Sequence, residues 1–297
     1  MASRTGQLRA RGWQLAARIP WPLWWPLVGV GCLVMTVFPA RAVHQWARNF
    51  ATVTGRAPQR WDVMRGLWSW ARNSVGSMQV GHLPAGQIDH VVLMPDDDRL
   101  TMQREVGGRG LVVGLPHSGS WDLAGVWACH HGMPVSTVAE ELVAEEFQTF
   151  LEHRRRLGFT VYGHRNPNAL RHLVDDARTG HLVCLLADRD FSVRGVPVTW
   201  HLGSGDHPAT MPAGPAQVAL RSGAALRGVA CHFDGRRMRL VLSPGIVPDP
   251  AATTQRQRIS SMTQQLCDFF AAEIRRHPHD WHMMQPFFTS DIAGGGR

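Results

Sequence analysis

The stretch "LVVGLPHSGSWDLAG", Leu111 to Gly125, decides the fold. Its opening, "LVVGLP", is a short unbroken apolar run and reads as a buried strand. "SWDLAGVWACHH" reads as a helix that begins near Ser118 or Ser120. A strand that passes through a small-residue turn into a helix is half of a βαβ unit. His117 stands in that turn, five residues before Asp122.

The same alternation continues on both sides. "HVVLM" (His90 to Met94), "PVSTVAE" (Pro134 to Glu140), "FTVYG" and "HLVCLLADRD" read as strands, with "PDDDR" as a turn. "EEFQTFLEHRRRLG", "PNALRHLVDDARTG" and "GPAQVALRSGA" read as helices, the first two closed by glycine. "ALRGVACHF" and "RMRLVLS" predict a hairpin around Asp234 and Gly235, and a long helix should run from about Thr253 to Arg276. The expected fold is α/β, a mostly parallel central sheet with helices on both faces, preceded by an N-terminal hydrophobic helix. Ligands of such sheets gather at the carboxyl ends of the strands. His117 and Asp188-Arg189-Asp190 both fall at such ends.

With 297 residues and 44% hydrophobic content, the chain can bury a large core. The predicted organisation is a membrane-associating segment over 1–44, one α/β domain over 45–290 and a tail over 291–297. The net charge is +8 and all 31 basic side chains are arginine. GC-rich codon usage accounts for the arginine bias, so only the excess charge is physical, and it suits an anionic membrane surface or ligand. No aromatic-basic module, zinc-finger spacing or long basic run points to nucleic acid. The five cysteines are widely spaced with no CxxC pair, which predicts free thiols.

Ile19 to Ala40 is uncharged for 22 residues, between Arg18 and Arg41. Pro20, Pro22 and Pro26 interrupt its first third, and Trp21, Trp24 and Trp25 suit a headgroup boundary. It reads as a segment lying in one leaflet; a single spanning anchor and a buried helix of a soluble protein are the alternatives. Two further helices are expected over 42–80, split near Thr54 to Pro58, with Trp61, Met64 and Trp68 on one apolar face.

"PHSGSWDLAG" contains an HX4D motif, and "VAEEL", "LLADRD" and "DWHMMQPFF" follow in order. Together they resemble the bacterial acyltransferases that acylate membrane glycolipids. That family includes the late acyltransferases of lipid A and an actinobacterial branch that acts on phosphatidylinositol mannosides. The resemblance spans roughly Gly12 to Phe288. It implies transfer of a long acyl chain from acyl-CoA or acyl carrier protein to a sugar hydroxyl of a glycolipid acceptor. The expected place is the cytoplasmic face of the inner (plasma) membrane, held peripherally or monotopically. In this reading no metal and no other cofactor is needed.

The chemistry agrees with that implication. An alcohol attacks a thioester well only as its proton leaves, and imidazole has the pKa range for that work. His117 is the expected base, with Asp122 fixing its tautomer if the histidine precedes the helix and the aspartate lies in its first turn. Ser118 and Gly119 permit the turn and leave backbone N–H groups near the helix start. By resemblance, Asp190, or else Asp188, assists the histidine, with Arg189 beside them. Glu140 lies near the acceptor hydroxyls, and Arg155, from the cluster Arg154-Arg155-Arg156, meets phosphate groups in the groove. "MPAGPAQVAL" (Met211 to Leu220) resembles the family's entry to a helix and could help hold the thioester oxygen.

Three rival readings stand beside this one. "HPHDWH" (His277, His279, His282) and "CHH" (Cys129, His130, His131) invite a metal, but neither has a metal-site spacing. A non-catalytic lipid-binding protein at the membrane surface explains the charge and tryptophans but not His117 and Asp122. The same chemistry on a glycosylated specialised metabolite or a lipopeptide also stays open.

Overall fold

The computed structural model describes residues 21–139, 154–190 and 195–294. Its centre is a seven-stranded sheet in the order β1-β9-β8-β2-β5-β3-β4. The strands are β1 (Val92–Leu93), β2 (Leu111–Leu115), β3 (Val135–Ala139), β4 (Thr160–Gly163), β5 (Leu182–Leu186), β8 (Ala225–Asp234) and β9 (Arg237–Leu242). All neighbours are parallel except β8 and β9, which form the expected antiparallel hairpin. β2 lies between β5 and β8, with Leu111 opposite both Leu182 and Ala225. Burial on both faces makes its sequence a continuous apolar run rather than an alternating one.

Helices cover both faces. On one, Leu111, Val113 and Leu115 pack with α5 (Asp96–Gly107) and α6 (Trp121–His130). On the other, Val112 and Val183 pack with α7 (Ala169–Arg178), α8 (Gly214–Ser222) and α9 (Gln255–Arg276). Each buried Leu, Val or Phe contributes about 1.5–3 kcal/mol. Gly114 is needed because a Cβ there would lie 2.5 Å from Leu266 on α9. α9 starts in a reciprocal capping box between Thr254 and Gln257.

The differences from expectation are local. "HVVLM" reduces to a two-residue β1, because His90 and Val91 end α4 (Ala85–Val91). "PDDDR" is not a turn but the start of α5, where three aspartates meet the positive end of the helix dipole. No element was expected over 196–211, yet β6 (Val196–Leu202) and β7 (Gly205–Met211) form a separate antiparallel pair. That pair is held by Trp200, which is fully buried and stacks on Trp281 at 5.7 Å.

The N-terminal helices α1 (Trp21–Val37), α2 (Arg41–Thr54) and α3 (Arg60–Gln79) pack beside this body. Trp25 stacks on Trp68 at 4.7 Å, but Trp61 is 67% exposed, so its stripe is not wholly core. α1 exposes Leu27, Val30, Leu33, Val34 and Val37. Among the described residues no single helix is long and apolar enough to cross a membrane; α1 and α2 together form a pair bent by 77°. All five cysteines are free, with Cys32, Cys231 and Cys267 buried.

Candidate active site

β2 ends at Leu115 and α6 begins at Trp121, so His117 sits at the carboxyl edge of the central strand. The neighbouring strand β5 delivers Asp188 to the same edge. The His117 imidazole Nδ1 lies 2.5 Å from Asp188 Oδ1, and the His117 backbone N–H donates to Oδ2 at 2.9 Å. Trp281 Nε1 donates to the same Oδ2 at 2.9 Å. Asp188 is fully buried, while the His117 side chain keeps 22% exposure. Burial by itself would raise the Asp188 pKa. The charge on His117, its two hydrogen bonds and that of Trp281 outweigh burial and hold the carboxyl below its ordinary value. An ionised Asp188 accepts from Nδ1–H and leaves Nε2 as the free lone pair of His117.

The predicted partner of His117 is therefore corrected. Asp122 turns away into an ion pair with Arg154, 2.6 Å long, in which both side chains are buried. His117 precedes α6 and Asp122 lies in its first turn, as that pairing required, yet the turn directs the buried carboxylate to Arg154. The preference for Asp190 over Asp188 is corrected as well. Asp190 is tied by its backbone to β7, its N–H donating to Thr210 O and its carbonyl accepting from Thr210 Oγ1. Arg189 bonds Gln285.

The turn itself is more constrained than its small residues suggest. Ser118 N–H donates to Pro116 O, and Gly119 N–H donates to Asp280 O, so neither amide is left for a ligand. Gly119 has φ 57°, and a Cβ there would meet Cys231 at 2.7 Å. Both its conformation and its contact demand glycine. The N–H groups of the first turn of α6 have no partner within the helix and are the better candidates for an oxyanion. Of the basic cluster, Arg154 is buried beside Asp122 and Arg155 is exposed. Glu140 lies outside the described residues. "MPAGPAQVAL" does open a helix, α8.

A mainly apolar cleft lies between α6 and the sheet, lined by Trp121, Asp122 and Arg154 and by Val113, Ala128, Val135 and Leu182. The ring of Trp121 meets that of His117 edge-on at 5.5 Å, which joins cleft and imidazole. The site is completed by the C-terminal "DWH", whose Asp280 and Trp281 are buried. Trp281 bridges Ser118 in antiparallel register, and His282 N–H donates to His117 O at 2.8 Å. Sequence reasoning passed over Trp281 and His282 as site residues. The quoted "DWHMMQPFF" block was the available signal, but nothing local says that it returns to β2.

The histidine-rich motifs disperse. His279 meets Asp62 at 2.9 Å, His282 meets Ser69, and His130 and His131 face Asp89. His277 instead joins His232 and Glu273, whose donor atoms lie within 4.8 Å of one another. The two rings stack at 3.5 Å and 7°, so their in-plane lone pairs run side by side rather than converging. Arg276 holds Glu273. That donor set does not fit a metal ion.

The model of the bacterial lipid A biosynthesis acyltransferases matches residues 8–290. The phosphatidylinositol mannoside acyltransferase of Mycolicibacterium smegmatis is 35% identical, over 96% of this chain and 91% of the relative. That of Mycobacterium tuberculosis is 38% identical over 195 residues, 64% of this chain and 58% of the relative. A family match over this extent, with a relative 35% identical along nearly the whole chain, places the chain in the bacterial lipid A biosynthesis acyltransferase family, as an O-acyltransferase.

Proposed function

We propose that the protein transfers a long acyl chain from acyl-CoA, or from acyl carrier protein, to a sugar hydroxyl of a membrane glycolipid, a phosphatidylinositol mannoside in the first instance. The observation that carries this reading is His117, with Nδ1 on buried Asp188 and its ring against Trp121, a residue that lines the cleft. The acyl chain lies in the cleft with its thioester beside His117. The Nε2 lone pair takes the proton of the acceptor hydroxyl as its oxygen attacks the thioester carbon. Asp188 stabilises the imidazolium that forms. The tetrahedral intermediate collapses with cleavage of the C–S bond, and the imidazolium returns the proton to the departing thiolate. Ester and free thiol are the products, and no metal or redox group enters the balance.

Asp122 and Arg154 have a different role in this reading. Their ion pair fixes the first turn of α6, and with it Trp121 and the mouth of the cleft. The exposed apolar face of α1 rests in the cytoplasmic leaflet, and the basic surface adds attraction to anionic lipid. The relatives' names support the mannolipid acceptor. The test is incubation of purified protein with labelled palmitoyl-CoA and a panel of mannolipids, with products read by mass spectrometry. Acylated mannolipid that disappears in His117→Ala is expected. Turnover on other hydroxyl acceptors alone would move the acceptor elsewhere, and equal turnover in His117→Ala would refute the mechanism.

A further inference from the structure

A second cavity, of about 590 Å³, lies between α3, the β8–β9 turn and the C-terminal end of α9. Small-ligand sites run from about 300 to 1,000 Å³, so a headgroup-sized molecule fits. This cavity shares no lining residue with the cleft beside α6. α3 turns one face to it: Trp61, Arg65, Trp68 and Arg72 follow one another at intervals of four, three and four. The end of α9 adds Arg276 and His277.

Arg72 is the informative member. It is half-buried, its guanidinium lies over the Phe233 ring at 3.8 Å, and it donates to Gly235 O at 2.8 Å. That bond uses one of five N–H donors. Among the described residues neither Arg72 nor Arg65 is in an ion pair. The carboxylates around the cavity are engaged elsewhere. Asp280 accepts from Ser69 and from the Phe233 N–H, Asp62 holds Arg56 and His279, and Glu273 holds Arg276. Burial pulls the Arg72 pKa down, and the pull of Asp280 does not restore it. A desolvated cation without a counter-ion is costly. Here its position is fixed by stack and carbonyl, and its spare donors border open space. A planar fork held in that way matches two oxygens of one anion.

The surroundings say which anion. Met64 and Trp68 line the cavity and also carry α1: Trp68 stacks on Trp25 at 4.7 Å, and Thr36 Oγ1 donates to Met64 Sδ at 3.8 Å. The exposed apolar face of α1 therefore stands on the cavity wall. Trp61, exposed on the same wall, suits a headgroup boundary. We propose that this cavity binds the phosphodiester headgroup of an anionic phospholipid, with Arg72 forking the phosphate and Arg65 adding charge. The proposal rests on the reading of α1 as a helix lying in the leaflet, and it gives the protein a lipid-selective anchor distinct from the cleft beside α6.

Titration of the full chain with the soluble headgroup glycerophosphoglycerol tests the cavity without a membrane. The readout is the indole N–H signals of nitrogen-labelled tryptophan, with Trp61→Phe and Trp68→Phe as assignments. Those two signals should move together with the headgroup. Arg72→Gln should raise the Kd about tenfold, and Arg72→Lys should recover little, because an ammonium keeps the charge but neither fork nor stack. Arg256→Gln removes the same charge at the far end of α9 and should bind like the parent. A Kd within about twofold of the parent in Arg72→Gln, or an equal loss in Arg256→Gln, overturns the proposal. If Arg72→Gln does not fold, exposed Arg65→Gln decides, with a Kd rise of about threefold expected and an unchanged Kd overturning. Inorganic phosphate or CoA that binds as tightly with the same shifts makes this a site for a free anion or for the thioester donor and overturns the lipid assignment. Flotation with phosphatidylcholine vesicles, with and without phosphatidylglycerol, tests the leaflet reading separately. The parent should float with phosphatidylglycerol better than Arg72→Gln. Equal flotation of the two overturns the anchor. Headgroup binding without flotation refutes the leaflet reading of α1 and with it the lipid source, whereas flotation without headgroup binding refutes the cavity alone.

Discussion

Replacing Asp188 by asparagine separates the arrangement seen here from the pairing that HX4D spacing suggests. The carboxylate accepts three hydrogen bonds: His117 Nδ1–H on Oδ1, and the His117 and Trp281 N–H groups on Oδ2. An asparagine can keep the latter two by placing its carbonyl oxygen at the Oδ2 position. Its amide then faces Nδ1 with a donor, so Nδ1 becomes the acceptor and the ring proton moves to Nε2. His117 is left intact in place but in a tautomer that cannot take a proton from an alcohol. The same change in a serine-protease triad costs about 10⁴ in kcat, or about 5.5 kcal/mol of barrier. We expect a kcat loss of about 10³–10⁴ for Asp188→Asn, with the thioester KM little changed. The assay is single-turnover transfer of labelled palmitate from CoA to mannolipid, on protein whose circular dichroism matches the parent. Retention of more than about a tenth of kcat would refute the reasoning, most directly if Asp122→Asn were the variant that abolished turnover.

Asp122→Asn should instead act on stability. Breaking one side of a buried ion pair leaves Arg154 uncompensated and should cost about 3–5 kcal/mol, whereas Asp122→Leu with Arg154→Met should recover much of it; denaturant melts of the three proteins decide. Ala128 lines the cleft seven residues along α6 from Trp121, about 10 Å by helix rise. Ala128→Phe should therefore shift donor preference toward shorter acyl chains, and an unchanged chain-length profile would remove that wall from the acyl path. The low pKa of His282 predicts an acid limb in stability. Its ring stays neutral in the folded protein down to about 3, while in the unfolded chain it titrates near about 6.5. The unfolded state thus binds more protons below about 6.5, and stability falls as pH drops from there, by about 2 kcal/mol at pH 5 from this group. Melts of His282→Phe should show that slope reduced by one proton; parallel curves would contradict the burial. Gly119→Ala should cost about 2 kcal/mol or more, since it forces both a positive φ and a contact with the Cys231 backbone.

The sequence by itself determined the α/β alternation, the buried strand of "LVVGLP", the β8–β9 hairpin and the place of His117 at a strand end. These follow from runs of apolar residues and their breakers, which act over a few positions along the chain. It missed α5, whose three leading aspartates resemble a polar turn until the helix dipole is considered, and the β6–β7 pair, whose strands exist because Trp200 is buried under Trp281. Tertiary structure alone decided which carboxylate meets the imidazole. Asp122 and Asp188 are both reasonable partners by residue type, and spacing favours Asp122. Parallel pairing of β2 with β5 brings Asp188 alongside His117, while the start of α6 turns Asp122 to Arg154. The return of Trp281 and His282 to β2, after 160 intervening residues between Trp121 and His282, is likewise a product of packing. Local pattern records what an element buries; the partner of a polar side chain depends on which strands lie side by side, and no short window contains that information.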